Sequence, residues 1–514
     1  MRPCSAIRQA SNRALNPAVL KRILSASIII NLGLLLGRLL GFVREIIIAE
    51  GYGASWRADV TVTILTLPDI LINILVGGAL TAALVPSFTS DRSGARALAY
   101  QVSAVIFLIF SVIAALLAWQ SQVLIQLLAP GYSGQTAAVA ESGVATVVLL
   151  LPLFVLTGVT TALLQARERF ATPSLGTFFF NAVLIAGLWF TIRQDTFNVT
   201  FIVLSVLAAG ALRYASQLVA VRPGCHPVES FRPWLISGDL VRRYWQAMLS
   251  GGILFIYPVA ARAYASMVGE GGVAMFNYAM RLIELPLLLC VSFLGVVLLP
   301  RLSEAYSQNR EMFSKLVVYG LQAVFALGMV AVTTLFVGRQ GYTQLVYGRG
   351  LQPEALQDVT QLVGVGLLCV LFQGAVTFMT ATFNAARETQ IPLVMNLAGG
   401  AGLLFVLQAG NSHSLLEIMI ALTGTYGLLA VVYALVIGRR FLAPGVWRNV
   451  HAAGFFVGVL VVNLLVATGH WLLLSSVQGA WLSLLITVLA GGLALVASAF
   501  CHHDLRTRFF RVGS

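Results

Sequence analysis

The stretch NLGLLLGRLLGFVREIIIAEGYGASWRAD, residues 31–59, decides the fold. Most of it is apolar enough to cross a bilayer, yet Arg38, Arg44 and Glu45 lie in or at the end of that run. An arginine at the centre of a bilayer costs about 2.5–3.5 kcal/mol on insertion scales, so such a residue faces a partner or a polar path. Gly33, Gly37 and Gly41 recur every four residues and make one small-residue face suited to close helix packing. Arg38 and Glu45, seven residues apart, share another face. Packing accounts for the glycines and leaves the charges unexplained. One reading is a buried strut in which Arg38 pairs with Glu45 or Asp59. The favoured reading is that Arg38 and Arg44 meet a phosphate or pyrophosphate, because guanidinium binds phosphate oxygens in pairs and stays charged when desolvated.

The surrounding composition agrees with a membrane setting. The chain has 514 residues, 59% hydrophobic and 10% charged, with mean hydropathy +0.89, against about 25% charged in soluble domains. These values predict an all-α polytopic membrane protein of about fourteen spans, each of about 20 residues. The spans fall into an N-terminal six-helix lobe over 24–220, a linker over 221–242, a second six-helix lobe over 243–437, and two extra helices over 451–501. Basic tails, 1–23 and 502–514, flank them. The first span follows Arg2, Arg8, Arg13, Lys21 and Arg22 with no cleavage site after it, so it reads as retained and not as a signal peptide.

A net charge of +13 raises the question of nucleic acid, but the basic residues fall in short loops and form no single patch, so no nucleic-acid partner is expected. With the N-terminus inside, roughly three quarters of all Lys and Arg lie on the cytoplasmic side, which places both termini in the cytoplasm. Cys4, Cys225, Cys290, Cys369 and Cys501 have no metal or disulfide spacing, and the histidines form no HExxH motif. Neither a metal, a cofactor nor a catalytic centre is expected.

Two short matches indicate an internal repeat. LeuPro at 67–68 returns at 285–286, and AlaArgGlu at 166–168, followed by Pro173, returns at 386–388, followed by Pro392. The offsets are close to 220 residues. Six spans separate each pair, which makes the halves parallel repeats, an arrangement that in transporters puts the binding site at the interface of the halves.

Further ionisable residues lie in spans. Arg281 and Glu284 are three apart, hence neighbours on one helix face, and both an internal salt bridge and a site role are open for them. Asp59 and Asp69 fall early in the second span, where Asp59 also suits the dipole at the start of its own helix. Arg262 is expected deep in the seventh span with no acid near it in sequence, so a site role and a cross-helix bridge are both open. The Phe178–Phe180 run reads as lipid-facing or packing surface.

GRLLGFVRE (37–45), GYGASWRAD (51–59), LPDILINILVGGALTAALVP (67–86), LLAPGY (127–132) and RFATP (169–173) together resemble the MurJ/MviN lipid II flippases. So do YAMRLIELP (278–286), LLPRLSE (298–304), YGRG (347–350) and ARETQIP (386–392). The resemblance implies two six-helix lobes around a central cavity, two extra helices grooved for a lipid tail, and alternating access. The cargo it implies is an undecaprenyl-pyrophosphate-linked peptidoglycan precursor, carried outward across the bacterial cytoplasmic membrane. Membrane lipids and cell-wall synthesis proteins are the implied partners. On the matching positions Arg38, Arg44 and Arg281 correspond to the cationic substrate contacts, and Glu45, Asp59 and Glu284 to the acids that hold them. Asp69 and Arg262 are further candidates for the cavity.

The departures concern charge. Ile72, Asn73 and Gly77 stand where the family has two basic residues and an acid, and Met280 stands where it has an acid before Arg281. A less charged cavity suits another polyprenyl-linked saccharide, such as an exopolysaccharide, capsule or O-antigen unit, as the alternative cargo. Arg262 would repel a cation, so no bound sodium is expected. A drug/cation antiporter would want acids where this chain has arginines. A glycosyltransferase would want an acid or His site with a sizeable external loop, and a scaffold would tolerate loss of Arg44 and Arg281.

Overall fold

The computed structural model describes residues 17–71, 80–90, 94–194, 197–221, 234–410, 414–446, 451–475 and 479–502. Among these the regular structure is all helix, and ten helical stretches are long and apolar enough to cross a membrane. In order the first helices are α1 (Pro17–Tyr52), α2 (Trp56–Leu71), α3 (Leu80–Ser90), α4 (Ala95–Trp119), α5 (Ser121–Leu128), α6 (Gly134–Val148), α7 (Leu151–Ala166), α8 (Ala171–Arg193) and α9 (Val199–Val221). They are followed by α10 (Gly238–Ala265), α11 (Gly272–Gln308), α12 (Arg310–Tyr347), α13 (Pro353–Gly366), α14 (Leu368–Ala385), α15 (Gln390–Ala409) and α16 (Leu415–Arg440). Last come α17 (Ala452–Ser475) and α18 (Ala480–Phe500). Ile72, Asn73 and Gly77 lie outside the described residues, as do residues 1–16, 222–233 and 503–514.

Local chemistry sets several boundaries. Asn309 separates α11 from α12: its side chain accepts from Glu311 N at 2.9 Å and Met312 N at 3.0 Å, pairing two of the amides that a helix start leaves open. Ser414 does the same for α16 by accepting from Glu417 N at 3.2 Å.

The chain divides into two compact units. One comprises the described parts of Met1–Ile47, Ile64–Ser121 and Val139–Gly251; the other comprises Ile48–Thr63, Gln122–Ala138 and the described parts of Gly252–Ser514. The sequence-based partition makes a single cut at the 221–242 linker. The grouping by contact instead assigns two short segments of the first half to the second unit. Hydrogen bonds inside that unit give the reason: Gly131 N donates to Ser266 Oγ at 2.9 Å, and Tyr278 Oη donates to Gly53 O at 2.9 Å.

The repeat is written in the backbone. The broken pair α6 and α7, Gly134 to Ala166, has its counterpart in α13 and α14, Pro353 to Ala385, and the first residue of α8 has its counterpart in that of α15, all displaced by 219 residues. The same displacement relates Glu168 (φ 60°) to Arg387 (φ 61°), each in the left-handed region after a helix end. Arg169 N then reaches back to Leu164 O at 2.9 Å, and Glu388 N to Phe383 O at 3.0 Å, the bond that closes a Schellman turn. Around these twin corners the side chains exchange roles. In the first unit Arg167 and Arg169 donate to Val221 O (3.3 Å) and Ala220 O (2.7 Å) at the C-terminus of α9. In the second, Arg440 at the end of α16 pairs with Glu388 at 2.8 Å. Both place positive charge where the helix dipole is negative. Burial, with Arg96 and Arg169 adding repulsion, holds the Arg167 guanidinium below its usual value.

In the first unit the glycine face of α1 lies on α8. A Cβ on Gly33 would fall 2.6 Å from Ser174 Cβ, and one on Gly37 would fall 2.9 Å from Thr177 Cβ, whereas at Gly41 the nearest atom, on Asn181, is 3.4 Å away. Gly33→Val is expected to cost about 1–3 kcal/mol by forcing the helices apart, and Gly41→Ala less than about 1 kcal/mol. Thermal melting of the two purified variants checks the order.

In the second unit α17 and α18 are fastened to α12 by polar contacts. Thr333 Oγ1 donates to Asn463 Oδ1 at 3.1 Å, while Asn463 Nδ2 donates to Ser498 Oγ at 3.0 Å. Farther along, His470 Nε2 and Thr487 Oγ1 are 3.1 Å apart. In a hydrocarbon setting, where apolar faces do not discriminate between helix and lipid, such bonds specify which helices meet.

Candidate functional site

The charges of the opening stretch resolve into separate groups, and the first is built on Arg44. Its Nη2 donates to Glu45 Oε1 at 2.7 Å and to Asp69 Oδ2 at 2.9 Å, and its Nη1 donates to Asn181 Oδ1 at 3.3 Å. Arg44 is 2% exposed and Glu45 1%. Asn181 turns its Nδ2 back to Gly37 O at 3.0 Å, so the glycine face that lets α8 approach α1 also delivers the amide that holds the arginine. Buried guanidinium is tolerated because two carboxylates and an amide oxygen meet its donors. All four residues belong to the first unit.

This arrangement alters the expectation for Arg44. Sequence reasoning favoured a phosphate contact, but its donors are engaged by protein acceptors. Glu45 follows Arg44 directly, and adjacent helical residues do not ordinarily face one another; the long arginine side chain bends back to reach it. Asp69, weighed only as a further candidate, is a direct partner of Arg44. Asn181 was missed. The one available signal was a carboxamide following three phenylalanines inside a span, FFFN at 178–181, where each polar group needs a partner. Of that run, Phe180 is buried edge-on against Phe154 at 5.8 Å. Arg38, one turn and a half before Arg44, is exposed.

The second group lies in the second unit. Asp59 sits in the first turn of α2, as expected, but its carboxylate serves another helix: Oδ2 accepts from Gly271 N at 2.7 Å and Oδ1 from Ala274 N at 2.8 Å. It is therefore the N-terminal cap of α11, set where amides point outward and the dipole is positive, and it holds no arginine. Beside it Trp56 N donates to Glu270 Oε1 at 3.1 Å, and Thr63 Oγ1 meets Tyr132 Oη at 2.8 Å. Burial first, then the Asp59 carboxylate, pushes the Tyr132 phenol well above its ordinary value, while Thr63 and Arg262 act the other way.

Arg262 is half-buried in the last turn of α10, not deep in a span. The helix stops at Ala265, and Gly269 (φ 148°) and Gly271 (φ 80°) turn the chain into α11, so a basic residue there suits the C-terminal dipole. Arg281 Nη1 donates to Glu284 Oε2 at 3.0 Å within α11, their side chains 24% and 40% exposed. The same-face spacing is thus realised as an ion pair that keeps part of each side chain accessible. Met280, in place of the family acid, is buried. Among the described residues no group of three or more His, Cys, Asp or Glu could hold a metal ion.

A helical membrane chain with buried intramembrane charges and a repeat displaced by 219 residues has relatives of known type. The sequence profile of the family described as "Lipid II flippase MurJ" matches residues 48–490. The chain belongs to that family. Among MurJ relatives, the probable lipid II flippase MurJ of Rhizobium meliloti (strain 1021) is 27% identical over 451 residues, covering 84% of this chain and 79% of its own. The probable lipid II flippase MurJ of Vibrio cholerae serotype O1 is 23% identical over 507 residues, covering 90% and 91%. Among solved structures, lipid II flippase MurJ in an inward closed conformation matches with TM-score 0.76 at 16% identity, covering 92% of this chain and 98% of that one. An inward-facing multidrug resistance MATE family transporter of the MOP superfamily matches with TM-score 0.67 at 14% identity, covering 79% and 94%. These two show the fold. The MurJ profile reaches through α17 into α18.

Proposed function

We propose that this chain is a flippase that carries lipid II, an undecaprenyl-pyrophosphate-linked saccharide, across the bacterial cytoplasmic membrane by alternating access. The observation that carries the reading is the family match over residues 48–490. Transport involves no covalent step on the cargo, so binding and release by permanent charges suffice. Arg38, exposed in the first unit, and Arg281, partly exposed in the second, are the guanidinium groups suited to phosphate oxygens. Glu284 holds Arg281 in place. Arg44 positions the helix that carries Arg38, through Glu45, Asp69 and Asn181. The excess of Lys and Arg in the segments facing inward supports cytoplasmic termini. Met280 and the uncharged Ile72 and Asn73 favour one second reading, a different polyprenyl-linked saccharide as cargo.

Rescue of a strain depleted of its lipid II flippase tests the proposal. Expression of the chain is expected to restore growth and outer-leaflet lipid II. Failure at normal expression level, with another polyprenyl-linked saccharide moved instead, overturns the first cargo in favour of the second. Arg38→Ala is expected to lower lipid II translocation in reconstituted vesicles by about 10-fold or more, the loss of one charge-assisted contact, with little change in melting temperature.

A further inference from the structure

Arg213 on α9 takes no part in the groups described above. It is 4% exposed, lies two turns before the end of α9, and among the described residues its Nε and Nη1 have no hydrogen-bond partner. No charged neighbour offsets its burial. Four residues on, and therefore on the same helix face, Gln217 is fully buried. Its Oε1 accepts from Thr160 Oγ1 at 2.5 Å and Thr161 Oγ1 at 3.1 Å, which fixes the amide orientation. Its Nε2 is thereby left without a partner. Opposite, Gly176 of α8 makes room: a Cβ there would lie 3.2 Å from Arg213 Nε and 3.6 Å from Cζ.

Three buried N–H donors, one permanent positive charge and no engaged acceptor define a chemical preference. A cation is repelled. A water molecule would accept from these donors but leave the charge uncompensated, and a guanidinium stays protonated at any accessible pH. A buried charge needs an opposite charge. The nine-tenths burial admits only a small ligand.

We infer that Arg213 and Gln217 form a site for a small inorganic anion, chloride being the fitting size, enclosed by α7, α8 and α9 within the first unit. The anion receives N–H bonds from both side chains and ties α9 to its two neighbours. The site is independent of the cargo proposed above, since it involves none of Arg38, Arg44 or Arg281.

The test uses the full chain purified in detergent. Melting in sodium chloride or bromide is compared with melting in sodium gluconate at equal ionic strength, for wild type and for Gln217→Glu, which supplies a built-in carboxylate to Arg213. Wild type is expected to melt about 2 °C or more higher in halide, as ligand linkage requires. Gln217→Glu is expected to lose that difference while matching or exceeding the halide-bound wild type. Anomalous diffraction from bromide-grown crystals is expected to place a halide beside Arg213 Nε and Gln217 Nε2. Equal melting of wild type in halide and gluconate overturns the site, as does a halide effect that persists in Gln217→Glu, or a bromide position elsewhere only.

Discussion

Arg44→Ala is expected to destabilise the first unit by about 3–5 kcal/mol, because it removes the charge that Glu45 and Asp69 share and leaves Glu45 buried and unpaired. Melting of the purified variant should fall well below wild type. The triple variant Arg44→Met, Glu45→Gln, Asp69→Asn is expected to recover most of that loss, since neutralising a whole buried cluster costs far less than breaking it. Translocation then separates the roles. An Arg44→Ala protein that melts like wild type but moves no cargo would refute the positioning role and return Arg44 to direct contact with phosphate.

Asp59→Ala is expected to cost about 2–4 kcal/mol. It deletes two charge-assisted bonds, to Gly271 N and Ala274 N, at the positive end of α11. Asp59→Asn keeps an acceptor without the charge and is expected to lose about half as much. Hydrogen exchange at the Gly271 and Ala274 amides reads the effect directly: exchange should quicken by roughly 10-fold or more in Asp59→Ala, following the lost free energy of opening. Glu270→Ala is the control, because Glu270 accepts from Trp56 N at an exposed position and is expected to change stability by less than about 0.5 kcal/mol. A cap role is refuted if the two amides exchange alike in Asp59→Ala and wild type.

These outcomes matter for the proposed transport cycle because the two acids do different work. Glu45 neutralises an arginine within the first unit, whereas Asp59 organises the start of the helix that carries Arg281 and Glu284 in the second. Loss of translocation in an Asp59 variant would therefore report on the placement of α11. It would not by itself report a contact with cargo.

Much of this protein was legible in its sequence. Hydropathy alone determined an all-helical membrane chain, because a backbone in hydrocarbon must satisfy its own hydrogen bonds. The paired LeuPro and AlaArgGlu motifs exposed the repeat that the α6–α7 and α13–α14 breaks bear out, and the Gly33, Gly37, Gly41 spacing marked the face that α8 covers. The three-residue spacing of Arg281 and Glu284 named their ion pair, since helical neighbours are fixed by the helix itself. What tertiary structure alone decided was which charge is used up inside the protein and which stays accessible. Arg44 finds Asp69 and Asn181 at separations of 25 and 137 residues, and Asp59 finds the start of α11 at 212. No helical periodicity reaches across such distances. The residues 31–59 therefore declared that ionisable groups cross a membrane here, and the packing of α2 and α8 on α1 made Arg44 a strut while leaving Arg38 exposed.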